Sequence, residues 1–251
     1  MQSIIDILSQ FEAVSLEQIE AVKLMNRIDS KYLLRIDTLP ELLAELKNKY
    51  LILNVNGQNI SRYHTRYYDT KEFSLYHQHQ TGRLPRTKIR KRTYLETAES
   101  FLELKQKNNH RKTFKNRILL IESSKDEENK NLKKLIKISS INSEDLQQVL
   151  NVYYSRITLV NKAFTERLTI DTKLSFSNDF THTNYAGLCI IELKQNRLEQ
   201  SPVRLLLKQK RIFPTSLSKY CLGIASLYEK AQKNNIKEKI RFINKLCHEK
   251  I

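Results

Sequence analysis

The sequence predicts an α+β fold in which charged strand faces line a polar, basic barrel interior. Three observations point there. The stretch Arg83–Lys107, RLPRTKIRKRTYLETAESFLELKQK, reads as two strands joined by a short polar turn. Alternate strand residues share a face, so Arg86, Lys88, Arg90 and Arg92 point one way. On the second strand Phe101, Glu103, Lys105 and Lys107 share a face, with Leu102 and Leu104 on the other. The same pattern, basic residues with a carboxylate among them, returns at Glu166–Asp171 and Leu188–Lys194. Finally, 44 Lys and Arg against 27 Asp and Glu give a net charge of +17. One half-buried strand ordinarily shows its charged face to water. Several such strands together build a cation-lined interior, which needs a polyanion to fill it.

In chain order, residues 3–12 and 15–25 read as helices. Ile4, Ile5, Leu8 and Phe11, then Leu16, Ile19, Val22 and Leu24 or Met25, recur at helical spacing. RIDSKYLL (27–34) reads as a strand with Arg27, Asp29 and Lys31 on one face. Thr38, Pro40 and Glu41 open a helix to about Tyr50. Asn56-Gly57 marks a tight turn. Residues 60–69 form a strand, 73–80 a short helix or loop, and 114–122 a further strand after the basic segment HRKTFKNR. Residues 125–131 are a charged loop, while 132–138 and 143–154 have helical spacing. The β-branched runs 155–165 and 166–176, then 188–194, are strands, and the polar stretch 178–186 is a loop. Ser201-Pro202 opens a helix to about Ile212, and helices at 217–233 and 236–247 follow. Strands and helices interleave throughout. The chain therefore reads as one domain over 1–251, with helices in 1–25, the barrel and its helices in 26–225, and a last helix in 226–251.

Apolar residues make up 40% of the 251, enough for a real core. The charge implies an anionic partner: nucleic acid, phosphate polymer or acidic membrane. Cys189, Cys221 and Cys247 are scattered and form no CxxC or Cys/His pattern, which fits a reducing compartment and excludes a zinc or disulfide framework. No stretch approaches the roughly 20 apolar residues of a membrane helix. MQSIIDILSQFEAV lacks the basic start of a signal peptide, so a cytoplasmic location is expected. GxxxxGK[ST], GxSxG and HExxH are absent. The chain has no P-loop and none of those hydrolase signatures.

Phosphate oxygens are best held by several fixed cations, and Arg adds bidentate hydrogen bonds. The candidates are Lys31, Lys88, Arg90, Arg92, Lys105, Arg156, Arg167 and Lys219. Glu103, Asp171 and Glu192 stand among them. Each reads either as an ion-pair partner or as a ligand of Mg²⁺ or Mn²⁺ beside a phosphate chain. Glu192 is the best placed, anchored by Ile190, Ile191 and Leu193 in a buried strand. The six histidines are dispersed. The tyrosines of RYHTRYYD suit packing or base stacking.

The order RIDSKYLL, RYYDT, KIRKRTY, FLELK, ERLTIDT, IIELK and SLSKYCLG resembles the VTC domain. That is the polyphosphate polymerase domain of the vacuolar transporter chaperone complex, a member of the triphosphate tunnel metalloenzymes that also occurs as a stand-alone bacterial protein. The resemblance runs from about Arg27 to Ala225. It implies a closed antiparallel β-barrel holding polyphosphate, with helices outside. By motif, Lys31, Arg90, Arg92 and Lys105 would line the tunnel, with Lys88 beside them. Arg156 and Arg167 would contact nucleotide or chain phosphates. Glu192 would hold the metal, Mn²⁺ or Mg²⁺, and Ser218 and Lys219 would close one tunnel end. Two motifs depart from the family pattern: the superfamily's ExExK is RIDSK here, and Ser216 stands where a Lys is expected before SKY.

The expected function is therefore an ATP-dependent polyphosphate polymerase, a phosphotransferase passing the γ-phosphate of ATP to a growing chain. Two alternatives are a triphosphatase or polyphosphatase in the same tunnel, and a non-catalytic binder of polyphosphate or RNA. Under the first reading the partners are ATP and polyphosphate, with no nucleic acid. The resemblance also leaves room for a membrane-protein partner, and no sequence feature specifies an oligomeric state.

Overall fold

The computed structural model describes residues 3–21, 28–121, 124–137, 139, 141–196 and 200–248. Their elements are α1 (Ile4–Leu8), β1 (Ala13–Val14), α2 (Leu16–Ala21), β2 (Ile28–Arg35), α3 (Leu39–Leu46), β3 (Tyr50–Leu53), β4 (Ser61–Thr70), α4 (Ser74–Gln80), β5 (Arg86–Tyr94), β6 (Ser100–Lys107) and β7 (Thr113–Leu120). There follow α5 (Lys125–Ile136), β8 (Leu146–Asn161), β9 (Glu166–Ser177), β10 (His182–Tyr185), β11 (Leu188–Gln195), α6 (Pro202–Gln209), α7 (Lys219–Leu227) and α8 (Lys237–His248). The expectations for 22–27 and for Glu122 lie outside the described residues.

Eight strands pair in the order β2-β11-β9-β8-β4-β5-β6-β7, every neighbouring pair antiparallel. The sheet curls until Lys31 of β2 and Lys115 and Arg117 of β7 line one cavity. The expected closed barrel needs correction: among the described residues β2 and β7 are not paired. On the side of β2 away from β11, the segment before α7 makes one bridge, the Thr215 amide donating to the Lys31 carbonyl at 2.8 Å.

Helices cover the convex face. α3 and α6 bury Leu39, Leu42, Leu43, Leu46, Val203 and Leu207 against Leu168, Ile170, Ile191 and Leu193 of the sheet. α5 covers Ile89, Leu102 and Leu104 with Leu132, Leu135 and Ile136. It begins inside the expected charged loop because Ser124 caps the Glu127 amide and three acidic residues fill the first turn, where the helix dipole favours them. One of these, Glu128, accepts from Lys91 at 2.6 Å and from the Tyr68 hydroxyl, pinning the helix to β4 and β5.

The concave face is shared between α7 and the cavity. Tyr67, Tyr154, Leu33 and Ile190 share the concave face with the charged cavity residues and pack with Tyr220, Leu222 and Ile224 of α7. The approach is close: a Cβ on Gly223 would lie 2.7 Å from Leu150 Cδ2 and 2.8 Å from Phe176 Cδ1. Glycine permits it.

The expected helix at 143–154 is instead a 3₁₀ turn, Ser143–Asp145, leading into the 16-residue strand β8. Register shifts against β4 and β9 break the period of two. The shift against β4 leaves Val149 buried next to Leu150 before the alternation resumes at Val152 and Tyr154. The expected loop 178–186 contains β10, and the expected α3 continuation to Tyr50 gives way to β3.

Candidate functional site

A cavity of about 590 Å³ occupies the concave side. Lys31, Lys88, Arg90, Arg92, Lys105, Arg156, Arg167, Glu192, Ser218 and Lys219 all line it. Sequence reasoning missed Asp29, Lys115, Arg117 and Lys194 as lining residues. The alternation in FKNR and IIELK carried the signal for the last three.

The strand register arranges these cations in rows. Arg90 stands beside Glu103, which stands beside Arg117; one step along, Lys88, Lys105 and Lys115 are neighbours with no carboxylate among them. Opposed like charges disfavour a sheet, and the row sets three ammonium groups side by side on the cavity wall. In the mixed row, Arg90 Nε donates to Glu103 Oε2 at 2.5 Å and Arg92 Nη1 lies 4.0 Å from the same oxygen. Burial would raise the Glu103 pKa, but Arg90 and Arg92 bring it below the usual range. Arg92 Nε is buried without a hydrogen-bond partner among the described residues. An unmet buried donor costs about 1–3 kcal/mol.

Asp171 ties two elements together. Arg156 donates from Nε to Oδ1 at 2.6 Å and from Nη2 to Oδ2 at 2.8 Å, and Lys219 of α7 pairs with the same carboxylate. Burial opposes the charge, yet Arg156 and then Lys219 hold the Asp171 pKa far below normal. Ser218 caps α7, accepting from the Cys221 amide, and also accepts from Lys88 Nζ at 3.0 Å. Burial lowers the Lys88 pKa to about 8; Cys221 opposes this, and Lys105, Arg90 and Lys31 each lower it by less.

Glu192 lies between Lys31 at 3.4 Å and Lys194 at 3.3 Å. Burial would raise its pKa, but Lys194, Lys31 and Arg156 pull it down to about 2, so it stays anionic. No group of three His, Cys, Asp or Glu able to hold a metal occurs among the described residues. Mg²⁺ and Mn²⁺ at phosphate sites are held by one or two carboxylates, with substrate oxygens and water completing the shell. A single ionised Glu192 facing the cavity fits that mode and no fully protein-built cage.

A second cavity adjoins the first, sharing Asp29, Lys31, Lys88, Leu217 and Ser218 and adding Arg86, His79 and Lys239. Lys239 Nζ of α8 donates to Ser216 Oγ at 2.5 Å. Lys239 of α8 thus brings a cation beside Ser216, two residues before the cap of α7. His79, one of the histidines without an expected role, packs with Nε2 3.1 Å from the Thr87 carbonyl, and burial followed by Lys88 keeps it neutral, with a pKa of about 2. No helix of the described residues is long and apolar enough to cross a membrane.

The family model described as the VTC domain matches residues 26–228. Among solved structures, a proposed adenylate cyclase from Bacillus halodurans superposes with a TM-score of 0.52 at 17% identity, covering 81% of this chain and 98% of its own. A proposed adenylyl cyclase from Hippeastrum, described as having a dominant triphosphatase activity, reaches 0.48 at 15% identity over 80% and 96%. The curated protein sequences contain no match to the chain.

Proposed function

The chain belongs to the VTC domain family, and from that premise we propose that it is an ATP-dependent polyphosphate polymerase. The terminal oxygen of a bound phosphate chain attacks the γ-phosphorus of ATP, the new P–O bond forms, the bond to the β-phosphate oxygen breaks, and ADP leaves. Such transfer needs positioning and charge neutralisation more than a protein nucleophile. The observation that carries the reading is the Lys88–Lys105–Lys115 row beside Arg90 and Arg92, a set of cations in excess of its carboxylates on the wall of one cavity. Lys31, Lys105, Arg90 and Arg92 hold chain phosphates. Arg156 and Lys219, fixed by Asp171, present their remaining donors to the nucleotide phosphates, with Arg167 nearby. Lys88 orients Ser218 at the end of α7. A divalent metal on Glu192 would neutralise charge on the transferring phosphoryl group.

Incubation with ATP and Mn²⁺, followed by electrophoresis and phosphate assay, tests this. Long phosphate polymer with equivalent ADP is expected. Orthophosphate as the only phosphate product would make the protein a hydrolase, and no turnover would leave a binder.

A further inference from the structure

The basic segment between Glu103 and Glu122 is only half absorbed by the cavity. Residues 104–121 contain six Lys and Arg and no Asp or Glu. Lys105, Lys115 and Arg117 line the cavity; Lys107, Arg111 and Lys112 do not. These three belong to the outer end of the β6–β7 hairpin. Lys107 follows Lys105 on the lumen-facing side of β6 and stands beside Arg86 of β5, which lines the second cavity. The tip is built to project its side chains. Asn108 takes up the turn: its amide donates to the Lys112 carbonyl, and its Oδ1 and carbonyl accept from the Lys112 and Arg111 amides, each at 3.0 Å. Arg111 and Lys112 are exposed, and neither they nor Lys107 form an ion pair among the described residues.

We propose that this hairpin is an external arm for a linear phosphate chain, a cationic track that continues the lumen row past Arg86 and Lys107 to Arg111 and Lys112 and holds the part of the chain too long for the cavity. The inference rests on the polyphosphate reading of the lumen. Continuity of register with the lumen cations favours a chain emerging from the cavity over an unrelated surface ligand. A like-charged track without carboxylates also gives sequence-independent, salt-sensitive binding. The arm makes the enzyme bind long chains better than short ones, so that a growing product stays attached.

The test compares the full-length protein with a triple variant, Lys107→Ser, Arg111→Asn and Lys112→Ser; asparagine suits the left-handed backbone at Arg111, φ 61°. Binding of tripolyphosphate, long-chain polyphosphate and phosphatidylglycerol vesicles is measured across salt concentrations. The wild type should bind long chains more tightly than tripolyphosphate. The variant should lose about tenfold on long chains and under about twofold on tripolyphosphate, and its salt slope should fall by about 2, at ~0.7 per neutralised phosphate. Unchanged long-chain affinity overturns the arm. So does an equal loss on both phosphates, or vesicle binding that is lost while long-chain binding stays. A wild type that ignores tripolyphosphate yet binds long chains through the hairpin supports the arm and contradicts the lumen reading.

Discussion

Asp171 holds Arg156 by two parallel hydrogen bonds of 2.6 and 2.8 Å and takes Lys219 from a different element on the same carboxylate. Asp171 is 3% exposed and the Arg156 side chain 16%. Removing one partner of a buried ion pair leaves an uncompensated charge and costs about 3–5 kcal/mol. Asp171→Asn keeps the shape and should lower stability by that order, with a lower melting temperature. The folded-state pKa of Asp171 lies below its unfolded value of about 3.9. Its stabilisation is therefore complete above that value and is lost as pH falls toward the folded pKa. The gap in melting temperature between wild type and variant should be constant near neutrality and narrow below about pH 4. A gap that widens in acid would contradict this assignment.

Lys88 works the other way. Its folded pKa of about 8 lies below the ordinary lysine value near 10.4. Below pH 8 both states carry the proton and the folded state bears the full cost of the buried charge. As pH rises from 8 towards 10.4 the folded state loses its proton first, so stability rises. Lys88→Met should melt higher than wild type at pH 7, with the difference shrinking towards pH 10. Its affinity for tripolyphosphate should fall at pH 7, and wild-type affinity should fall as pH passes about 8. Titrations monitored by melting and by calorimetry check both. A variant less stable than wild type at pH 7 would show that the Ser218 contact outweighs the burial cost.

The parts of this site that were legible in the sequence are those where the period of two is unbroken. On β5, β6 and β11 the alternation of Lys88, Arg90, Arg92, of Glu103, Lys105 and of Glu192, Lys194 is what the structure uses. The start of β8 was misread because a register shift against β4 interrupts the alternation at Val149 and Leu150, and a second follows against β9. Long-range relations were out of reach. Nothing local to Thr215 says that its amide will bridge to Lys31 of β2. Nothing local to Lys239 says that α8 will bring it to Ser216.

Glu192→Gln keeps the side-chain shape and removes its charge, leaving Lys31 and Lys194 to repel each other across the missing anion. The protein should still fold. Turnover should fall at least tenfold at low Mn²⁺ and recover in part at high Mn²⁺, because an ionic ligand has been exchanged for a neutral one. Activity titrated against Mn²⁺ gives the answer, and an unchanged metal midpoint would remove Glu192 from the metal site.

Binding of tripolyphosphate to wild type and to Arg90→Gln, followed by calorimetry at fixed salt, tests most directly whether the cation rows hold phosphate. Arg90 lies mid-strand between Lys88 and Arg92 and lines the cavity, with Nε on Glu103 and Nη1 3.4 Å from the Tyr67 hydroxyl. A charge-assisted hydrogen bond contributes about 1.5–3 kcal/mol. The variant should therefore bind about 10- to 150-fold more weakly, with both proteins folded at the temperature of the titration. Equal affinity in the two proteins would contradict the account.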